Sequence, residues 1–131
     1  MRVSLYGIDD QLRTVERGAV SLEQARDVID AHFSEVKPSY PTGEEALART
    51  MFGFCKPTGS FVELCIHTPS EISFKFESQV LGMPVLFGLG SRRYQFEATL
   101  RSRTDVIAAV ERFFVSSDEE YRGFIEREHS R

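Results

Sequence analysis

The sequence predicts one α+β domain over residues 1–131, a twisted antiparallel sheet of about five to six strands with helices packed on one face. Apolar residues recur at helical spacing near both ends of the chain, whereas between residues 51 and 101 they alternate with polar ones. The chain has 131 residues, of which 41% are hydrophobic, and this length and composition suit a single hydrophobic core.

The first predicted element is a short strand at the N-terminus. It covers Arg2–Tyr6, because Val3 and Leu5 share one face of an extended chain and Gly7 follows them. No element is predicted between this strand and residue 20.

A helix is predicted from Leu22 to about Val36. Ser21 and Gln24 have the spacing of a capping box, in which each side chain bonds the other residue's backbone amide. Pro38 stops the helix, since proline has no amide hydrogen to donate. A loop and then a short capped helical segment are predicted over residues 38–49.

A meander of antiparallel strands is predicted from Met51 onward. Within residues 61–78 a set of six apolar residues is all even-numbered: Val62, Leu64, Ile66, Ile72, Phe74 and Phe76. Both strands therefore bury their even positions on one side of the sheet. Directly paired residues share a face, so their numbers sum to an even value, which favours a three-residue loop over residues 68–70 and pairs His67 with Glu71.

This register also predicts other cross-strand pairs. It sets Leu64 opposite Phe74 on the apolar face and Glu63 opposite Lys75 on the polar face. Across the preceding turn it sets Phe52 opposite Leu64. The odd-numbered face is thus predicted to be the outer, water-facing side of the meander.

Two strands and two helices are predicted to complete the chain. The strands cover residues 84–89 and 93–101, and a glycine-bearing turn joins them. Ser102 begins the first helix as its N-cap, and Ser117 with Glu120 forms a capping box for the second.

A catalytic interpretation of the polar face would use Cys65 as nucleophile and His67 as base, with Glu71 orienting the imidazole. Residues i and i+2 of a strand stand ~6.6 Å apart, so the outer-face interpretation is favoured and no catalytic residue is assigned. The alternative is a small enzyme or ligand-binding domain with a pocket between sheet and helices, which the chain's many phenylalanines could line.

The sequence predicts neither a cofactor nor a metal site. Its histidines, His32, His67 and His129, lie far apart and lack metal-ligand spacing. The register separates Cys55 and Cys65 by roughly 13 Å along the strands, beyond disulfide reach. Two thiols indicate a reducing compartment, so a cytoplasmic location is expected.

The charge distribution limits the classes of partner. Residues 1–48 hold nine acids and five bases, net −4, and the rest of the chain is balanced. An acidic third argues against nucleic-acid binding and is compatible with a basic protein partner. No apolar run reaches the ~18 residues of a membrane span, so no membrane association is expected.

One segment resembles a known class of proteins. The stretch RSRTDVIAAVERFF, residues 101–114, follows a strand and a β-meander in a small acidic chain. It resembles the C-terminal part of bacterial immunity proteins that neutralise polymorphic or contact-dependent toxins, over about the last quarter of the chain. The resemblance implies a non-enzymatic cytoplasmic inhibitor that binds a cognate toxin domain, often a basic nuclease, through an acidic surface. The candidate partner-binding residues are Asp9, Asp10, Glu44 and Glu45.

Self-association is a third interpretation. An exposed edge strand, or an outward-facing Phe61, could pair two copies of the chain as a homodimer.

Overall fold

A computed structural model describes residues 2–8, 11, 13–35, 51–79 and 93–129 of the chain. In these residues six strands form one antiparallel sheet and three helices accompany it, which confirms the α+β class. The strands are β1 Ser4–Ile8, β2 Thr14–Ala19, β3 Met51–Cys55, β4 Phe61–Thr68, β5 Glu71–Gln79 and β6 Arg93–Leu100. The helices are α1 Leu22–Glu35, α2 Arg103–Val115 and α3 Asp118–His129.

The strand order is β2-β1-β3-β4-β5-β6, with every neighbouring pair antiparallel. β1 runs through Gly7 to Ile8, so the prediction that Gly7 ends this strand is wrong. The prediction also missed β2, whose residues are mostly exposed and whose sequence, TVERGA, lacks apolar alternation. Because β2 is an outer strand of the described sheet, it carries little of the buried pattern that reveals a strand.

The predicted register of the meander is confirmed over most of its length. Phe52 pairs with Leu64, Leu64 with Phe74, and Glu63 with Lys75. The odd or even numbering of the apolar residues was enough to predict this register, because one face of each strand is buried. A slip of one residue would turn every apolar side chain to the other face.

The predicted pairing of His67 with Glu71 is wrong. The register shifts between Ile66 and Thr68, so that Glu71 pairs with Thr68 instead. At this irregularity one residue of β4 has no partner on β5. The prediction failed here because it assumed that every residue of the two strands is paired in turn. The loop is consequently shorter than the three residues predicted.

The core lies between the even-numbered face of the sheet and the helices. Phe54, Val62, Leu64 and Phe76 are each 0% exposed. The helices contribute further buried side chains to the same cluster: Ala25, Ile29, Val106, Ala109, Val110, Phe113, Tyr121 and Ile125. The hydroxyl of the fully buried Tyr121 donates a 2.8 Å hydrogen bond to a backbone carbonyl of α2, so its polar group is satisfied.

The predicted helix starts are confirmed. Ser21 and Gln24 exchange the two hydrogen bonds of a capping box, at 2.9 and 3.1 Å. Ser117 and Glu120 do the same for α3, at 3.2 Å each. Ser102 is the N-cap of α2. These caps satisfy amide groups that have no partner within the helix.

A buried lysine fastens the β3–β4 turn to the junction of α2 and α3. Lys56, only 4% exposed, donates through Nζ to the carbonyl of Ser116 at 2.7 Å and lies 4.3 Å above the Phe113 ring. Close by, Ser60 Oγ donates to Asp118 Oδ1 at 2.7 Å. Burial lowers the pKa of Lys56.

Several predictions lie outside the described residues, namely the strand at 84–89, the loop and helical segment at 38–49, and the acidic residues Asp9, Asp10, Glu44 and Glu45. In the described part of the chain, none of the helices has the length and apolar character needed to cross a membrane.

Candidate functional site on the outer face of the sheet

The face of the sheet opposite the helices carries most of its ordered polar side chains. We call it the outer face: the odd-numbered positions of β3 to β6, with Tyr6 and Glu16. One row of directly paired residues crosses all six strands, in the order Glu16, Tyr6, Gly53, Glu63, Lys75, Glu97. This central row places three carboxylates and one ammonium group on the outer face.

Tyr6 fixes the position of one of these carboxylates. Its ring lies over Gly53, where a Cβ atom would come within 2.3 Å of Tyr6 Cζ and Oη, so only glycine fits. The Tyr6 hydroxyl donates to Glu63 Oε1 at 3.3 Å and approaches the carbonyl of Val62 at 3.4 Å. Burial, together with the Glu63 carboxylate, raises the pKa of Tyr6, so the phenol keeps its proton and remains a donor.

Lys75, the one lysine of the central row, forms its ion pair with Glu77 in the neighbouring row. Lys75 Nζ lies 2.9 Å from Glu77 Oε2, and Arg93 Nε lies 3.2 Å from Glu77 Oε1. Gln95 also donates to Glu77, at 3.3 Å. The hydrogen bond from Lys75 chiefly lowers the pKa of Glu77, with help from those of Arg93 and Gln95. The predicted opposition of Glu63 and Lys75 is therefore correct in register, but the close ion pair of Lys75 is with Glu77.

Phe61 also belongs to the outer face, in the row beside the central one. It is half-buried, because Tyr6 packs edge-on against it at 6.2 Å and the guanidinium of Arg93 lies 6.0 Å from its ring. The outward Phe61 proposed for self-association is thus partly covered by its own chain.

An open cavity of about 500 Å³ lies on the outer face over β5 and its two neighbours. Its lining includes Glu63, Lys75 and Glu97 of the central row, and Cys65, Ser73 and Thr99 of the row beyond. Cys65 pairs with Ser73, and Ser73 with Thr99, so a row of short side chains follows a row of long ones. This difference in length forms the space that we call the outer-face cavity.

The residues of the catalytic interpretation have other neighbours in the structure. Cys65 lines the cavity, whereas Glu71 turns toward Arg101, whose Nη1 lies 3.8 Å from its Oε1. The His67 imidazole contacts a hydroxyl that sequence reasoning did not consider: Nε2 lies 2.5 Å from Ser73 Oγ.

A histidine in contact with a serine hydroxyl can act as a general base toward it. Acyl transfer also needs donors for the oxyanion, and backbone amides commonly supply them. Ser73 lies on β5, which is paired with β4 on one side and β6 on the other, so the amides there are committed to the sheet. The backbone of β5 therefore offers no free amide beside this contact.

The two cysteines occupy outer-face positions on neighbouring strands as thiols. Cys55 pairs with Phe61 and Cys65 with Met51, as the register predicts. Burial, assisted by the Glu16 carboxylate, raises the pKa of Cys55. Among the described residues, no group of three or more histidine, cysteine or acidic side chains is arranged to hold a metal ion.

Sequence reasoning placed the candidate site in the N-terminal acids and missed Glu16, Glu63 and Glu97. The parity rule could have found two of them, because extending the register by one strand sets Lys75 opposite Glu97, as observed. No family model, no curated protein and no solved structure matches this chain.

Proposed function

We propose that the protein is a non-enzymatic protein-binding module, an immunity-type inhibitor of a cognate toxin, which binds a basic partner through the outer face. One observation carries the proposal. Among the described residues, Glu16, Glu63 and Glu97 of the central row form no ion pair, while Lys75 in the same row is held by Glu77.

Charge complementarity supports a basic partner. Lys75 also interacts electrostatically with Glu63 and Glu97, so it offsets part of their charge. The carboxylates outnumber it three to one in the central row, and a surplus of negative charge attracts a positively charged surface and steers it during diffusional encounter. The net −4 of residues 1–48 adds to this field, and Asp9, Asp10, Glu44 and Glu45 remain predicted contributors to it.

The competing interpretation, a ligand pocket between sheet and helices, has less support. Phe52, Phe54, Phe76 and Phe113, which could have lined such a pocket, are each at most 1% exposed and pack together as core. Side chains that fill a core leave little room for a ligand among them.

The test is the association rate with a toxin domain encoded beside this gene. The triple variant Glu16→Lys, Glu63→Lys, Glu97→Lys should lower the rate constant at low salt by about tenfold or more, and weaken its dependence on salt. The matched control is Glu23→Lys, Glu119→Lys, Glu128→Lys, which changes net charge equally through exposed acids of α1 and α3. Equal effects of the two triples, or the lack of a neighbouring toxin gene, would contradict the proposal.

A second candidate, hydrolysis, is favoured only by the contact of Ser73 with His67. It predicts ester hydrolysis that Ser73→Ala and His67→Ala each abolish. The binding proposal predicts no such turnover, and it predicts that His67→Ala, which lies outside the cavity lining, changes the association rate by less than about twofold.

A further inference from the structure

We infer that the outer-face cavity is the anchor site for one arginine side chain of the protein partner. The inference rests on the proposed function and names the chemistry of the contact at its centre.

The shape suits a long side chain entering from the partner. The volume of about 500 Å³ greatly exceeds the ~30 Å³ that one water occupies in the liquid. The short side chains of Cys65, Ser73 and Thr99 leave space, and the longer Glu63 and Glu97 stand beside it. A side chain that enters over the short row would therefore bring its terminal group beside the row that holds the two carboxylates.

The charges select a cation. Glu63 and Glu97 pair with Lys75 from opposite sides, so their Cα atoms are two strand spacings apart, roughly 9–10 Å. The one cation between them is drawn along the strand to Glu77, away from Ser73. Lys75 lines the cavity and interacts electrostatically with both carboxylates, but among the described residues neither carboxylate forms an ion pair. The lining therefore carries two negative charges against one positive charge.

The distribution of acceptors favours arginine over lysine. The guanidinium group has five donors in a planar fork, whereas an ammonium group presents three donors at one point. The lining offers acceptors in the carboxylates of Glu63 and Glu97 and in the hydroxyls of Thr99 and Ser73, the last of which also contacts His67. A spread donor group can reach more than one of these acceptors at once.

Glu63 is already positioned for this role. The Tyr6 hydroxyl bonds its Oε1, and Tyr6 is itself held over Gly53. Fixing an acceptor before the partner arrives lowers the entropic cost of association.

The first experiment measures the electrostatic preference of the cavity, with Cys65 as reporter in a Cys55→Ser chain. The rate of modification by a trimethylammonium-bearing methanethiosulfonate is divided by the rate with its sulfonate analogue, and the ratio is normalised to that of free cysteine. We expect a normalised ratio of about ten or more, because local potentials of several kT multiply the concentration of a cation. Glu63→Gln with Glu97→Gln should reduce it at least threefold, whereas Glu23→Gln with Glu119→Gln should not. A normalised ratio near one would overturn the inference.

The second experiment tests recognition of the guanidinium group itself. N-acetyl-arginine amide should shift amide NMR signals of Cys65, Ser73 and Thr99 saturably, and the citrulline analogue, which is neutral and of nearly the same shape, should not. Thr99→Phe, which fills the cavity, and Glu97→Gln, which keeps its shape, should each weaken binding about fivefold or more. Gln79→Phe, on the same face but outside the lining, should leave binding unchanged.

Equal shifts from the arginine and citrulline compounds would overturn the inference, and so would stronger binding of the corresponding lysine compound. Either result would leave the proposed function intact if the charge-reversal triple still slowed association with the toxin domain. Failure of the anchor site and failure of the inhibitor proposal are thereby distinguishable.

Discussion

The even and odd faces of strands β3 to β6 are built from alternating residues of the same chain segments, yet they are held in order by different forces. On the even face, Leu64 and Phe74 pack against apolar neighbours and are almost wholly excluded from water. On the odd face, Glu63 and Glu77 are fixed by hydrogen bonds and ion pairs from Tyr6, Lys75 and Arg93. The difference indicates that apolar burial holds one face of the sheet in order and that polar contacts hold the other.

The magnitudes support that division. Burying one large apolar side chain contributes roughly 1.5–3 kcal/mol, whereas a polar cross-strand pair contributes roughly 0.2–1 kcal/mol. Substitutions on the odd face should therefore cost little folding free energy, whereas substitutions on the even face should cost more.

The largest expected effect compares neighbouring residues on opposite faces. Leu64→Ala should lower the free energy of unfolding by about 2–5 kcal/mol, because it leaves a cavity in the core. Glu63→Ala should lower it by less than about 1 kcal/mol. Urea denaturation of the two variants measures both values, and equal losses would contradict the division of labour between the faces.

A glycine on the outer face is the expected exception to its tolerance. Gly53→Ala places a Cβ 2.3 Å from the Tyr6 ring and 2.5 Å from the carbonyl oxygen of Val62, so both the ring and the backbone must move. We expect a loss toward the upper end of roughly 1–3 kcal/mol. The control is Gly7→Ala, whose Cβ meets only the flexible end of Arg17, at 3.0 Å. If Gly53→Ala were as mild as this control in thermal unfolding, the position of Tyr6 would be wrong.

On the helix-covered face of the sheet, one polar residue, Lys56, is expected to contribute to stability. Lys56→Met keeps the apolar stem against Phe113 but removes the donor to the Ser116 carbonyl, which should cost toward the lower end of roughly 1–3 kcal/mol. Lys75→Met makes the same change on the outer face, where Glu77 keeps Arg93, and should cost less than about 1 kcal/mol. Chemical denaturation measures the free energy of unfolding of both variants. A larger loss for Lys75→Met than for Lys56→Met would mean that the outer-face lysine contributes more to stability than the buried one.

Sequence reasoning succeeded where one strong pattern dominates and failed where weak local features decide. The parity of the apolar residues gave the register from Phe52 to Phe74, because a buried face permits only one alignment. It failed at Thr68, where an irregularity absorbs a residue, and at β2, whose exposed residues carry no such pattern.

The candidate site was less predictable than the fold. Composition indicated an acidic protein, but the central row depends on which strand lies beside which, and β1 reaches β3 across more than forty residues of sequence. Tyr6 and Gly53 thus become one unit only after folding. A glycine in a strand pattern often marks a close approach by another group, and this was the one available signal.

The smallest expected effect is a pH dependence on the outer face. Lys75 and Arg93 hold the pKa of Glu77 below its ordinary value, so the ionised carboxylate stabilises the folded state. A lowered pKa in the folded state gives stabilisation that is fully present above the unfolded-state pKa, about 4.3 for glutamate. That stabilisation is lost as the pH falls through the lower, folded-state pKa.

Glu77→Gln should therefore be less stable than the natural chain at pH 7. The loss should be less than about 1 kcal/mol, because the amide oxygen can still accept hydrogen bonds and because Lys75 and Arg93, each about one-third exposed, remain in contact with water. The difference should shrink steadily below pH ~4.3 as the natural carboxylate takes up its proton. Urea denaturation at a series of pH values measures the two curves, with Glu119→Gln, an exposed glutamate of α3, as the control. Because only an ionised Glu77 can pair with both cations, a gap between the natural chain and Glu77→Gln that stayed constant from pH 7 to pH 3 would mean that the ion pairs contribute nothing. The outer face would then be ordered by the packing of Tyr6 and Phe61 rather than by charge.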